Sequence, residues 1–178
     1  MNKVLEAIKK DLKDAMKIEV KMRKEDLTLG EVFGSVVARK TVSRAIISMI
    51  PELGKKSDQT TEDDMYKLLK KYIGQEKERN VYQFGYLKEA DVEGKSGPEV
   101  KKLVADTIRE CGDALISPVI QIAQGYLPAQ ASEEEIKEWI EKNIDFSQYK
   151  NKMQVMGPTL KNFKGADGNF VKKILLSM

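Results

Sequence analysis

Histidine is absent from this chain of 178 residues, and cysteine occurs once, at Cys111. Without histidine there can be no Ser-His-Asp triad, no Cys-His pair and no imidazole metal ligand or proton shuttle. A single cysteine cannot form an internal disulfide or a thiolate zinc site, and it fits a reducing compartment. Much standard enzyme chemistry is therefore excluded, and the sequence predicts no catalytic residue, no metal site and no cofactor.

Long apolar runs are also missing. No stretch approaches the ~20 residues that a helix needs to span a bilayer. Residues 1–24 alternate charged and apolar side chains, which is unlike the unbroken apolar segment of a signal peptide. Apolar residues nevertheless make up 41% of the chain, which is enough to form a core. These features predict a folded cytoplasmic protein with no membrane partner.

The residues that are present predict helices nearly throughout. An apolar residue recurs at every fourth position near the start: Val4, Ile8, Leu12, Met16 and Val20. This stripe predicts a first helix over about residues 2–25. Similar periodicity predicts helices over about 33–50, from 61 to beyond 78, over 98–112 and after Pro118. Thr61 and Asp64 have the spacing of a capping box at the start of the helix that begins near residue 61. No strand-like alternation of β-branched residues occurs, so the predicted fold class is all-α.

The clearest domain boundary lies at Pro128, which ends the preceding helical pattern. Ser132 and Glu135 then have the spacing of a capping box that begins a new helix. The sequence therefore predicts a multi-helix N-terminal domain over residues 1–128 and a small three-helix domain over residues 129–178.

Within the C-terminal domain the first helix carries Trp139, which we interpret as a core anchor, with an exposed stacking platform as the alternative. A second helix is predicted over residues 150–163, where Gly157-Pro158 should kink or split it. Asp167 is the expected cap of the last helix.

Positive charge is concentrated near the carboxyl end. Residues 145–178 hold six Lys and two Asp, a balance of +4, whereas residues 132–144 hold five Glu and two Lys, a balance of −3. Lysine side chains attract phosphate, and glycines let a phosphate approach backbone amides at a helix start. The candidate RNA-binding residues are Lys161, Lys164, Gly165, Gly168, Lys172 and Lys173. The alternative is a solvated lysine face.

Two other patterns have competing interpretations. Tyr82, Phe84 and Tyr86 could stack on bases, but a small satellite core is the favoured interpretation. Residues 62–64 (EDD) could bind a metal ion, but acidic residues at a helix start more simply complement the helix dipole.

Three short segments follow one another in the order and separation found in a known family. They are residues 11–17 (DLKDAMK), residues 126–136 (YLPAQASEEEI), and residues 164–168 (KGADG) with Val155-Met156 before them and Val171 after them. Together they resemble the GatB/YqeY family, in particular its free-standing YqeY-like proteins, over almost the whole chain.

The resemblance implies a helical N-terminal domain followed by a three-helix domain. A domain of the same kind forms the tail of the GatB subunit of tRNA-dependent amidotransferase, where it is understood to contact tRNA while other domains transfer the amide. The resemblance therefore implies a non-catalytic, RNA-binding accessory protein of translation or tRNA amidation. Its implied partners are RNA such as tRNA, and an amidotransferase or translation factor.

The chain also departs from the family pattern. Met153 stands where relatives usually have glycine, and Gly165 abuts Ala166 without the arginine that often separates them. Residues 28–37 and 111–118 look like insertions, and added loops often carry recognition. They favour an alternative function, a protein-interaction module that acts without RNA. An amidotransferase-related enzyme ranks last, because the chain lacks a nucleophile–base pair.

Overall fold

A computed structural model of the chain describes residues 2–25, 31–128, 131–149, 151–163, 166 and 168–178. All regular structure in these residues is helical, which confirms the all-α prediction. The α-helices are α1 (Lys3–Lys24), α2 (Glu31–Met49), α3 (Glu62–Gln83), α4 (Glu89–Val92), α5 (Gly97–Cys111), α6 (Pro118–Gly125), α7 (Glu133–Asn143), α8 (Met156–Asn162) and α9 (Gly168–Ser177). None of these helices has the length and hydrophobicity needed to cross a bilayer.

The chain forms two compact units, Met1–Tyr126 and Leu127–Met178. Helices α1 to α6 lie in the first unit, and α7 to α9 lie in the second. In the first unit, α2 packs against α1, α3 and α6, and α5 packs on α3. The predicted domains 1–128 and 129–178 require each unit to fold independently. This independence stays a prediction.

The face that α1 buries differs from the predicted stripe. Its buried residues are Leu5, Ile8, Ala15 and Glu19. Met16 and Val20, which belong to the predicted stripe, are 42% and 54% exposed. A step of four residues overshoots one helical turn by about 40°, so a stripe built only from such steps rotates away from the core. Alternating steps of three and four residues keep to one face.

Glu19 is buried because two cations hold its carboxylate. Arg23 Nη2 lies 2.9 Å from Glu19 Oε1, and Lys40 of α2 donates a hydrogen bond to Oε2. These hydrogen bonds, from Lys40 first and then Arg23, hold the pKa of Glu19 below its ordinary value. An ion-pair network thus joins α1 to α2.

The start of α3 has the predicted capping box. The Asp64 N–H donates to Thr61 Oγ1 over 3.2 Å, and the Thr61 N–H donates to Asp64 Oδ2 over 2.9 Å. Lys55 Nζ lies 2.7 Å from the same carboxylate oxygen. The Lys55 contact and the Thr61 hydrogen bonds hold the pKa of Asp64 well below its ordinary value. Asp64 therefore has a structural role at the helix start.

The change Asp64→Asn should lower the free energy of unfolding at neutral pH, because the asparagine amide has no negative charge to pair with the Lys55 ammonium. A carboxyl with a depressed folded-state pKa stabilises fully above its unfolded pKa of about 3.9 and loses that contribution as the pH falls further. We therefore expect the urea midpoints of wild type and variant to differ at pH 7 and to converge as the pH drops from about 4 towards about 2.

The matched control for this prediction is Asp58→Asn, because Asp58 is exposed in the short turn before α3. It should change the midpoint little at either pH. If the urea midpoints of wild type and Asp64→Asn differ by the same amount at pH 7 and at acid pH, the electrostatic explanation is contradicted.

Helix α3 ends in a Schellman turn centred on Gly85. The Tyr86 N–H donates to the Val81 carbonyl over 2.9 Å, and the Gly85 N–H donates to the Tyr82 carbonyl over 3.1 Å. Gly85 has a φ of 76°, a left-handed conformation that glycine adopts without a Cβ penalty. Tyr82, Phe84 and Tyr86 are 41%, 45% and 44% exposed, so the prediction that they form a satellite core is wrong.

A satellite core does exist nearby, built from other residues. It consists of Val81, Leu87 and Leu115, with Cys111 packed against it. The Leu115 carbonyl accepts a hydrogen bond from Asn80 Nδ2 over 2.8 Å. The segment 111–118, which resembled an added loop in the sequence, therefore contributes buried structure to the first unit.

Two segments that carry the family resemblance meet in the first unit. The Tyr126 hydroxyl donates a hydrogen bond to Asp11 Oδ2, and Arg39 Nη1 lies 4.0 Å from the same oxygen. Burial and the bond to Asp11 raise the pKa of Tyr126. This contact fixes the residue that follows α6 against α1.

Candidate nucleic-acid interface

Helices α7, α8 and α9 enclose one apolar core in the second unit. The buried members of this core are Ile136, Ile140, Val155, Ala166, Val171, Ile174 and Leu175. Helix α9 packs against both α7 and α8. This core leaves the polar faces of the three helices to solvent.

The predicted capping box at the start of α7 is confirmed. The Glu135 N–H donates to Ser132 Oγ over 3.1 Å, and the Ser132 N–H donates to Glu135 Oε2 over 2.8 Å. Glu133 and Glu134 occupy the same first turn, where they complement the positive end of the helix dipole. The negative charge of the second unit is thus concentrated on α7.

The predicted break in the helix over residues 150–163 occurs earlier than expected. A short 3₁₀ turn, Lys152–Val155, precedes α8, and Gly157-Pro158 lies in the first turn of α8. Proline lacks an N–H, but the first turn of a helix offers no intrahelical acceptor for it. Pro158 is therefore accommodated without a kink, and the split lies before Met156.

Three of the candidate lysines lie on the exposed surface of α8 and α9. Lys161 is in the last turn of α8, and Lys172 and Lys173 are in the middle of α9. Successive residues of a helix are about 100° apart, so the buried Val171 leaves both α9 lysines outside the core face. Within the described part of the chain, none of the three lysines takes part in an ion pair.

The candidate glycine turn is described only in part. Lys164, Gly165 and the predicted cap Asp167 lie outside the described residues. Gly168 is the first residue of α9, and a Cβ at this position would meet Leu160 Cδ1 at 3.9 Å, an ordinary contact. Packing within the protein therefore does not require glycine at residue 168, and the missing side chain leaves room beside the backbone.

Trp139 lies between the two predicted environments, a core anchor and an exposed stacking platform. It packs against the core of the second unit, but it is only half-buried. Its ring meets that of Phe163 edge to face, with centroids 5.7 Å apart and an interplanar angle of 82°. The pair joins α7 to Phe163, the residue that follows α8 and lies near Lys161 in the sequence.

The described residues offer no cluster of three or more Cys, Asp or Glu side chains that could hold a metal ion. Comparison of the chain with family models, with curated proteins and with solved structures found no match. The resemblance to the GatB/YqeY family therefore stays a prediction, and the candidate interface is argued from its own chemistry.

Proposed function

We propose that this chain is a non-catalytic RNA-binding accessory protein of the GatB/YqeY type, acting in translation or tRNA amidation. It would hold structured RNA, such as tRNA, through a basic surface formed by Lys161 of α8 and Lys172 and Lys173 of α9. Lys164 and Gly165, between α8 and α9 in the sequence, complete the proposed surface, and Gly168 leaves room for a phosphate at the start of α9.

The observation that carries the proposal is a difference between lysines of the second unit. Lys137 and Lys142 of α7 are paired with Glu133 at 2.6 Å and Glu138 at 3.7 Å. Lys161, Lys172 and Lys173 are exposed and form no ion pair within the described residues. Unpaired ammonium groups keep their full charge for a polyanion, whereas paired ones must first give up a carboxylate.

Binding should depend steeply on salt, because each neutralised phosphate releases condensed counterions. Four lysines, counting Lys164, predict a slope of roughly −3 to −4 for log affinity against log salt. Between about 50 and 200 mM KCl the affinity should fall about 100-fold. Fluorescence anisotropy with labelled tRNA measures this slope, and an affinity that ignores salt would contradict the proposal.

A second candidate function is a protein-interaction module that acts without RNA. The observation that favours it is the exposure of Tyr82, Phe84 and Tyr86 on the first unit, since exposed aromatic rings are enriched at protein interfaces. Its partner would be an enzyme such as an amidotransferase, or a translation factor. A pull-down treated with RNase separates the candidates: a partner retained after treatment is held by protein contact, and one that is lost was bridged by RNA.

A further inference from the structure

A groove of about 600 Å³ opens on the second unit beside the ends of α7 and α8. Trp139 and Phe163 contribute its aromatic surface, and Asn143 and Asn162 place carboxamides beside them. Residue 163 follows α8 directly, so the groove adjoins the helix turn that carries Lys161. Its lining therefore combines flat apolar rings and neutral hydrogen-bonding groups with the charged side chains of Glu135, Glu138 and Lys142.

Several polar atoms in this groove have no partner among the described residues. Asn143 Nδ2 donates to the Trp139 carbonyl over 2.8 Å, which leaves its Oδ1 without a donor. The Asn162 carboxamide and the Trp139 indole N–H form no hydrogen bond with any described residue. The groove thus presents both donors and acceptors that a ligand can use.

We propose that this groove binds an unpaired nucleobase of the RNA, an inference that rests on the proposed RNA-binding function. Proteins recognise unpaired bases by stacking them on aromatic rings and by bonding their edges with polar side chains. Trp139 and Phe163 offer the stacking surface, and Asn143 and Asn162 offer groups for the edge. A base bound here would bring its phosphates towards Lys161. One RNA strand would then contact both the groove, through its base, and Lys161, through its phosphate.

The rim of the groove also carries three charged residues, Glu135, Glu138 and Lys142. Glu138 lies 3.7 Å from Lys142, and Glu135 already accepts the Ser132 N–H of the capping box. Both carboxylates therefore already have a hydrogen-bond or ion-pair partner within the protein. Lys142 is itself paired with Glu138, so the phosphate contact of the proposal is left to Lys161.

Trp139 is the single tryptophan of the chain, so its emission reports on this groove alone. The full-length protein is titrated with a short single-stranded RNA of mixed sequence and, separately, with a fully paired RNA duplex, while anisotropy of the labelled RNA follows binding. We expect single-stranded RNA to quench Trp139 and duplex RNA to bind without quenching, because duplex bases are already stacked.

The variant Asn162→Ala should weaken single-stranded binding about fivefold, the effect of one lost hydrogen bond, and leave the duplex affinity and the salt slope unchanged. Its matched control is Gln154→Ala, an exposed carboxamide of the same unit outside the groove, which should change neither affinity.

The possible outcomes separate the two proposals. Salt-dependent RNA binding with constant Trp139 emission and no effect of Asn162→Ala would overturn the base-binding groove and leave the basic surface standing. Absence of binding to every RNA would overturn both. Quenching by an oligoarginine peptide, but not by single-stranded RNA, would overturn the base assignment in favour of a basic protein segment.

Discussion

Reversing the charge of Lys161, Lys172 and Lys173 together, each to glutamate, should reduce tRNA affinity by at least about 100-fold near physiological salt. The change removes three proposed phosphate contacts and places three negative charges on the proposed surface. All three side chains are exposed, so the fold should persist. Anisotropy titrations give the affinity, and circular dichroism checks that the helical content is unchanged.

The matched control places the same charge change elsewhere, through Lys67→Glu, Lys101→Glu and Lys102→Glu, at three exposed lysines of the first unit. Because these three lysines are not part of the proposed RNA-binding surface, this triple variant should keep most of its affinity. Equal losses in both variants would show that net charge alone governs binding, and would contradict a specific surface on α8 and α9.

Truncating Ile140 to alanine should destabilise the second unit by about 3 kcal/mol, within the range for removing a buried aliphatic side chain. Ile140 has no exposed surface and belongs to the buried face of α7 that packs into the core of the second unit. Trp139 is its chain neighbour, so urea unfolding followed by tryptophan emission reports this loss directly. We expect a lower midpoint with an unchanged denaturant slope.

The companion variant Ile46→Ala tests whether the two units fold independently. Ile46 is fully buried in the first unit, and its truncation should cost a similar amount there. If the predicted domains are independent, the Trp139 transition stays at the wild-type midpoint while circular dichroism detects earlier loss of helix. An equal shift of the Trp139 midpoint in both variants would show that the units unfold together.

The local features of this fold could be predicted from sequence because their partners are close in the chain. Thr61 with Asp64, and Ser132 with Glu135, are three residues apart, and each pair forms its expected hydrogen bonds. The all-α class follows from helical periodicity in the same way, since each stripe depends on residues within one or two turns.

Features that depend on distant partners escaped prediction. Glu19 reads as a surface residue of a charged helix, yet Lys40, 21 positions away, holds it in a buried ion pair. The aromatic residues at 82, 84 and 86 read as core, but the turn at Gly85 leaves them exposed while Leu87 packs inward. Burial is settled by which helices pack together, and the periodicity of one helix does not contain that information.

The features of the proposed site also fall into two groups, those that follow from the sequence and those that depend on helix packing. The sequence by itself determined that basic residues accumulate near the carboxyl end and that α7 is acidic, because charge is a property of composition. Only the tertiary structure decided that Lys161, Lys172 and Lys173 form no ion pair with any carboxylate among the described residues, and that Trp139 meets Phe163 beside two carboxamides. Trp139 and Phe163 are separated by a helix end, two 3₁₀ turns and another helix, so only packing around a shared core could bring them together.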